Sequence, residues 1–250
     1  MKALITGASS GIGRDIARVL SEKGYDLIVT ARRKDRLAQL KSELPTHVEI
    51  FPADLSQKEE CLRLYEAVRA EDIGILINNA GYGVFGAFDE TDLDAELNMI
   101  GVDVVSVHIL CKLFLKDFIK KDQGHILNVA SSAAFMPGPL FSSYYAAKAY
   151  VLRLTQAIRE ELKKAGRHVY IGALCPGPVN TEFNQTAGVQ FGLHGLSSEA
   201  VAAYAVKKMF AGKTVIVPGA VMKGARFFSK LLPDGLVAKM AYGFQNSKKG

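Results

Sequence analysis

Short apolar runs alternate along this chain with stretches of helical periodicity, and that alternation limits the fold more than any other feature. The runs are Lys2–Thr6, Asp26–Thr30, Val48–Phe51, Ile73–Ile77, Gly124–Val129, Val169–Cys175 and Thr214–Val217. Helical patterns separate them, beginning with Ile16, Ala17, Val19 and Leu20 after the first run and including Gln57–Ala70 and Ser142–Lys164. Strands this short and this apolar suit a parallel sheet covered on both faces, because parallel neighbours need a crossover that is usually a helix. The expectation is a doubly wound α/β fold with right-handed crossovers and ligands bound beyond the C-terminal ends of the strands. A long pattern from about Asp92 to Lys120 carries Val102, Val104, Val105, Ile109, Leu110, Leu113 and Phe114. It is expected to be buried on more than one face and suits a subunit contact.

The residues with chemistry in them all follow a strand. Gly7-Ala8-Ser9-Ser10-Gly11-Ile12-Gly13 lies between the first strand and the first helix. Backbone N–H groups and a helix dipole aimed at such a turn make a phosphate cradle, and glycine admits a close ligand. The second strand ends in Ala31-Arg32-Arg33, where a dinucleotide fold meets the adenosine ribose. Arginine there suits the 2′-phosphate of NADP, and a carboxylate would suit the 2′-hydroxyl of NAD. A charge-assisted hydrogen bond of about 1.5–3 kcal/mol gives a roughly ten- to hundredfold preference. Asp54 can accept from an adenine amino group or simply lead into the next helix.

Ser131 follows the fifth strand, and Tyr144 and Lys148 stand four apart in the next helical stretch. That spacing stacks them on one face. A phenol ionises near pH ~10, a nearby ammonium lowers that value, and a phenol so tuned hands protons to an oxyanion. The Ser131 hydroxyl can hold the substrate oxygen. Tyr145, three residues before Lys148, reaches the same face, and the spacing alone also occurs among ordinary helix residues.

At 250 residues and 49% hydrophobic content, one domain with a substantial core is expected. Cys61, Cys111 and Cys175 are scattered without metal-ligand spacing, and the five histidines are isolated. A reduced cytoplasmic protein with no bound metal and no disulfide is the expectation. The first glycine arrives too early for a signal-peptide core, and no uncharged apolar run reaches the ~18–20 residues that span a bilayer. Of the net charge of +6, residues 222–250 carry +5, from Lys223, Arg226, Lys230, Lys239, Lys248 and Lys249 against Asp234. The remaining +1 gives the main domain no footprint for nucleic acid.

With Thr6-Gly7-x-x-x-Gly11-x-Gly13, Asn78-Asn79-Ala80-Gly81, Ser131, Tyr144-x-x-x-Lys148 and Pro176-Gly177 in this order, the sequence resembles the short-chain dehydrogenase/reductase family over about residues 1–218. The resemblance implies a Rossmann-type sheet in a single domain, an NAD(P) cofactor and reversible hydride transfer between carbonyl and alcohol. It selects Tyr144 over Tyr145 as general acid/base, since the family tyrosine lies four residues before the lysine and thirteen after the serine. Lys148 would lower the tyrosine pKa and hold the nicotinamide ribose, and Ser131 would position the carbonyl oxygen. It marks as cofactor-binding Gly7, Ser9, Ser10, Gly11, Ile12 and Gly13 in the turn, and Arg32, Arg33, Asp54, Leu55, Asn79, Ala80 and Gly81 towards the adenosine. It adds Pro176, Gly177, Val179 and Thr181, with Tyr144 and Lys148, towards the nicotinamide. A departure falls at Asp103, where the family usually has an asparagine that holds a water of the proton relay. Asp103 is counted with Ser131, Tyr144 and Lys148 in the catalytic set, and its charge would pair with Lys148 and shift the pH optimum.

Residues 182–198 are glycine-rich, with Phe183, Val189, Phe191 and Leu193 supplying apolar surface. In the family the matching loop covers the substrate, which suits an apolar ketone or aldehyde. Phe85, Phe88, Phe135 and Met136 are further candidate walls. Residues 222–250, beyond the main domain of 1–221, read as a basic amphipathic extension that suits packing on the lid or another subunit, or an anionic membrane surface. The expected protein is an NADPH-dependent carbonyl reductase, with NADP(H) favoured over NAD(H), acting on a small carbonyl or alcohol compound and forming a homo-oligomer, a dimer or tetramer. The rival is an NADP(H)-binding sensor or scaffold with little turnover.

Overall fold

A computed structural model describes residues 1–183, 195–229 and 231–246. Val189, Phe191 and Leu193 of the expected lid, and Lys230, Lys248 and Lys249 of the extension, lie outside the described residues. Seven parallel strands form one sheet in the order β3-β2-β1-β4-β5-β6-β9. They are β1 (Lys2–Thr6), β2 (Asp26–Thr30), β3 (Val48–Ile50), β4 (Ile73–Asn78), β5 (His125–Val129), β6 (Tyr170–Leu174) and β9 (Val215–Ile216). A separate two-stranded pair joins β7 (Val179–Asn180) to β8 (Leu196–Ser197). The seventh strand is shorter than the expected Thr214–Val217, leaving a short edge that offers few groups to a foreign strand.

Successive strand residues serve opposite faces, so each strand feeds two cores. Ala3 and Ile5 of β1 pack with Ile16 and Leu20 of α1 (Gly11–Glu22), Leu37 and Leu40 of α2 (Lys34–Glu43), and Val201 and Val206 of α7 (Ser198–Phe210). Leu4, between them, packs on the other face with Leu64 of α3 (Lys58–Val68), Phe114 of α5 (Ser106–Lys121) and Val151 of α6 (Ser142–Lys164). A buried polar rung ties this second face together. Asn78 Nδ2 donates to Asn128 Oδ1 at 2.9 Å, and Asn128 Nδ2 donates to Thr155 Oγ1 at 2.9 Å. The Asn128 amide is thereby paired at both ends, where a buried unpaired polar group would cost about 1–3 kcal/mol, while Asn78 Oδ1 has no hydrogen-bond partner among the described residues.

The long helix runs through α4 (Leu93–Ile100), a single π turn at Gly101–Val105, and α5. Gly101 lies against the Ser56 carbonyl, which an added Cβ would approach to 2.7 Å. By length and composition Leu93–Lys121 is apolar enough to cross a membrane, but Val107, Leu110, Phe114 and Phe118 belong to the sheet's core. It is a core helix whose burial is less complete than its sequence suggests: Leu93, Leu97 and Val105 are exposed. The C-terminal extension forms two helices, α8 (Ala220–Phe228) and α9 (Asp234–Asn246). Strand order reverses between β1 and β4, and the crevice at that switch point is where ligands of such sheets bind.

Candidate active site

The crevice is fixed by the end of β1. Thr6 Oγ1 accepts from the backbone N–H groups of Asn79 at 2.9 Å and Ala80 at 3.0 Å. Asn79 Nδ2 donates back to the carbonyls of Thr6 at 3.0 Å and Gly7 at 3.1 Å. The ends of β1 and β4 are thereby clamped together. Gly7 has φ +65°, and a Cβ there would come within 2.7 Å of Ala80 Cα. Gly11 has φ +54° and faces Thr181, whose Cγ2 would lie 2.9 Å from an added Cβ. Both positions need glycine, for backbone conformation and for space. Gly13 differs from the expectation: it does not line the crevice, but packs against the Asn79 amide and the Gly7 carbonyl. Its role is to let α1 close on the strand end.

On the adenosine side, Arg33 Nη2 donates to the hydroxyls of Ser9 and Ser10, both at 3.1 Å. Its Nη1 lies 2.8 Å from a Glu182 oxygen, and Arg36 is 3.8 Å from the other. The Arg33 guanidinium holds the Glu182 carboxyl below the usual carboxylate range. Arg32 and Asp54 line the same cavity. Asp54 Oδ1 also accepts from Ser56 N at 3.1 Å, so it both faces the crevice and leads into α3.

The opposite wall carries the proton-transfer groups. Ser131 follows β5 in extended conformation, and its Oγ accepts from Ala133 N at 3.1 Å. Tyr144 and Lys148 lie on the first turns of α6, both buried. The Lys148 ammonium sits 5.6 Å from the Tyr144 ring centre. The phenol ring stacks on Phe141 at 4.6 Å and touches Phe183 at 5.3 Å. Lys148 Nζ donates to the Val129 carbonyl at 3.2 Å and pairs with Asp103 Oδ2 at 2.9 Å. Asp103, in the π turn, is fully buried, and its Oδ1 accepts from Tyr82 N at 3.0 Å. Burial raises the Asp103 pKa, against the pull of Lys148 and the Tyr82 N–H. Burial also raises the Tyr144 pKa, the negative charge of Asp103 adds to the rise, and the hydrogen bond with Ser131 opposes it. Tyr145, the alternative to Tyr144, also lines the cavity, but its hydroxyl is engaged at the far wall, where it accepts from Gln245 Nε2.

Glycine turn, arginine side and proton-transfer wall all line one cavity of about 700 Å³. The family model for short chain dehydrogenases matches residues 1–190. The chain belongs to this family. An uncharacterized oxidoreductase of Staphylococcus saprophyticus is 34% identical over 185 residues, covering 72% of this chain and 78% of the relative. A short-chain dehydrogenase of Sphingobium yanoikuyae, solved with NADPH, is 30% identical with a TM-score of 0.81, covering 92% of this chain and 95% of its own. A short-chain dehydrogenase/reductase of Burkholderia phymatum, solved with NAD, shares the fold at 24% identity and a TM-score of 0.82, with 90% of each chain covered. The protein is accordingly an NAD(P)-dependent oxidoreductase with a Rossmann-like sheet.

In this short-chain dehydrogenase most residues singled out from sequence meet in the cavity: Gly7, Ser9, Ser10, Gly11 and Ile12; Asp54, Leu55, Asn79, Ala80 and Gly81; Pro176, Gly177, Val179 and Thr181. Asp103 does not; it lies behind the wall, paired with Lys148, and its charge acts on Tyr144 from there. Of the expected walls, Phe135, Met136 and Phe183 line the cavity, whereas Phe85 packs on Phe141 at 5.7 Å and Phe88 is solvent-exposed. Sequence reasoning missed Tyr82, Phe141 and Glu182, and it missed that α8 and α9 form the far wall through Met222, Ala225, Val237 and Ala241. The one local hint was the apolar periodicity of the extension.

Proposed function

We propose that the protein is an NADPH-dependent carbonyl reductase acting on an apolar ketone or aldehyde. The reading rests on one observation: Ser131, Tyr144 and Lys148 line the same cavity as the glycine turn. The residues fit the cofactor. The cradle has no room for a side chain at Gly7 or Gly11, and a guanidinium flanked by two serine hydroxyls suits the 2′-phosphate. NADPH, when bound, supplies the hydride that reduces the carbonyl carbon. The Ser131 hydroxyl donates to the carbonyl oxygen and orients it. The Tyr144 phenol gives its proton to that oxygen as negative charge develops there. Lys148 stabilises the resulting phenolate; Val129 and Asp103 engage two of its three N–H donors, which leaves one for a ribose hydroxyl. The aromatic and aliphatic far wall supports an apolar substrate and excludes water. A second copy of the chain is the expected partner, supported by the exposed Leu93, Leu97 and Val105.

Tyr144→Phe tests the assignment. It should abolish turnover of an apolar ketone and aldehyde panel, followed by NADPH absorbance, while NADPH affinity stays within about twofold, since ring and packing are kept. The Asp103 charge, which keeps the phenol reluctant to ionise, favours a second reading as a cofactor-binding sensor with little turnover. Failure of the wild type to turn over any member of the panel, with NADPH bound, would decide for it.

A further inference from the structure

The extension is anchored inward and unfinished outward. Val237, Ala241 and Gln245 are buried, Met222 lies against Gly177, and Gln245 donates to Tyr145 beside the catalytic tyrosine. These contacts fix α8 and α9 as a wall of the cavity. The other side of the same helices is apolar and open: Val221 is 76% exposed and Leu231 64%. Phe228 and Met240 line the cavity and are nevertheless 62% and 60% exposed, so the apolar lining runs out to the surface. A monomeric soluble surface rarely carries such a contiguous patch without a partner for it.

Charge says which partner. Lys239 is exposed among these apolar residues, Lys223 is exposed at their edge with its ammonium 5.8 Å from the Tyr204 ring, Arg226 is half-buried over the Phe135 ring at 5.3 Å, and Asp234 is the segment's single acid. By sequence, residues 222–250 carry +5 against +1 for all the rest; among the described residues of the extension, Lys223, Arg226 and Lys239 outnumber Asp234. A second copy is disfavoured, because a two-fold interface would set this basic surface against itself. Aromatic and aliphatic side chains interleaved with lysine suit the interface of an anionic bilayer, where the apolar groups enter the acyl boundary and the ammonium groups meet phosphate.

We propose that the outer surface of α8 and α9 docks on an anionic lipid membrane, and that an apolar carbonyl substrate dissolved in the bilayer reaches the cavity across it. Docking stands on the surface alone; delivery of substrate also rests on the reductase reading.

The test uses the full chain and vesicles of phosphatidylcholine with or without phosphatidylglycerol. The wild type should sediment with the anionic vesicles at low salt and remain in solution with the neutral ones. Val221→Asp combined with Leu231→Asp changes outward residues that do not line the cavity, and should reduce sedimentation at least about tenfold. NADPH binding by the double variant checks that it is folded. Leu93→Asp with Leu97→Asp, on the long core helix, should leave sedimentation unchanged. Docking is overturned if the wild type stays in solution, if the double variant sediments like the wild type, or if neutral vesicles serve equally well. It is also overturned if sedimentation velocity shows a dimer that the double variant dissociates, since a second copy would then cover the face. Delivery is read separately. A long-chain aldehyde held in the vesicles should be reduced faster by the wild type than by the double variant, and a water-soluble ketone equally by both. Equal rates on both substrates overturn delivery and leave docking standing; no turnover of either sinks the reductase reading alone.

Discussion

Asp103 is the residue whose chemistry departs furthest from what its neighbours require. It sits fully buried 2.9 Å from the Lys148 ammonium, and its negative charge favours the neutral phenol of Tyr144. The sign of its effect follows. Reduction needs the protonated phenol and oxidation needs the phenolate, so a raised pKa carries both limbs of the pH profile upward. Asp103→Asn keeps an acceptor for Tyr82 N and removes the charge. The phenol should then ionise at lower pH, moving the alkaline limb of reduction and the acid limb of oxidation both to lower pH. Profiles of kcat against pH for the two proteins check this, and superimposable curves would leave Asp103 a packing residue. Glu182 poses a different competition. Its carboxylate already occupies Arg33, the group suited to a 2′-phosphate. Glu182→Gln should tighten NADPH about two- to fivefold, the range of an exposed ion pair, and leave NADH unchanged. Fluorescence titration with both cofactors checks it, and an equal gain for NADH would mean that Glu182 acts on the site as a whole.

At the scale of elements, the catalytic helix α6 is held from two sides. Its core side packs Val151 and Leu152 on the sheet, a local consequence of helical periodicity. Its cavity side is held by α9, through the hydrogen bond from Gln245 to Tyr145. Burial raises the Tyr145 pKa to about 12, so the hydroxyl stays neutral and needs a partner. Gln245→Leu keeps the volume and removes the donor. The expected result is faster amide hydrogen exchange across Asp234–Asn246, with rates in β1, β4 and β5 unchanged, because those strands belong to the cooperative core. Exchange that rises across the whole sheet would show instead that the extension is part of that core.

At the scale of the whole molecule, what was legible in the sequence is what local spacing controls. The alternation of strands and helices and the glycine turn follow from periods of two and 3.6 residues and from positions after strands; spacing placed Tyr144 and Tyr145 on the face of Lys148, and the family resemblance chose Tyr144. Three features were not legible. The far wall depends on a contact spanning 100 residues, between Tyr145 and Gln245. The Glu182–Arg33 pair joins the loop after β7 to the end of β2. The outward face of the long helix looked buried because valine and leucine read alike inside and outside a fold. Cofactor binding joins these distant parts, since the cavity draws on β1, β2, β4, α6 and the segment after β6. Whatever binds there stabilises the native chain by mass action. NADPH at a hundred times its Kd should add about 2.7 kcal/mol, which in a chain of this size raises Tm by roughly 5–11 °C. NADH at the same concentration lacks the 2′-phosphate that Arg33 suits and should give a smaller rise. Because the Arg33 side chain is 44% exposed, added salt should screen that contact and narrow the gap between the two cofactors. Thermal unfolding with each cofactor, at low and high salt, reads both effects, and equal shifts at low salt would end the case for NADPH preference.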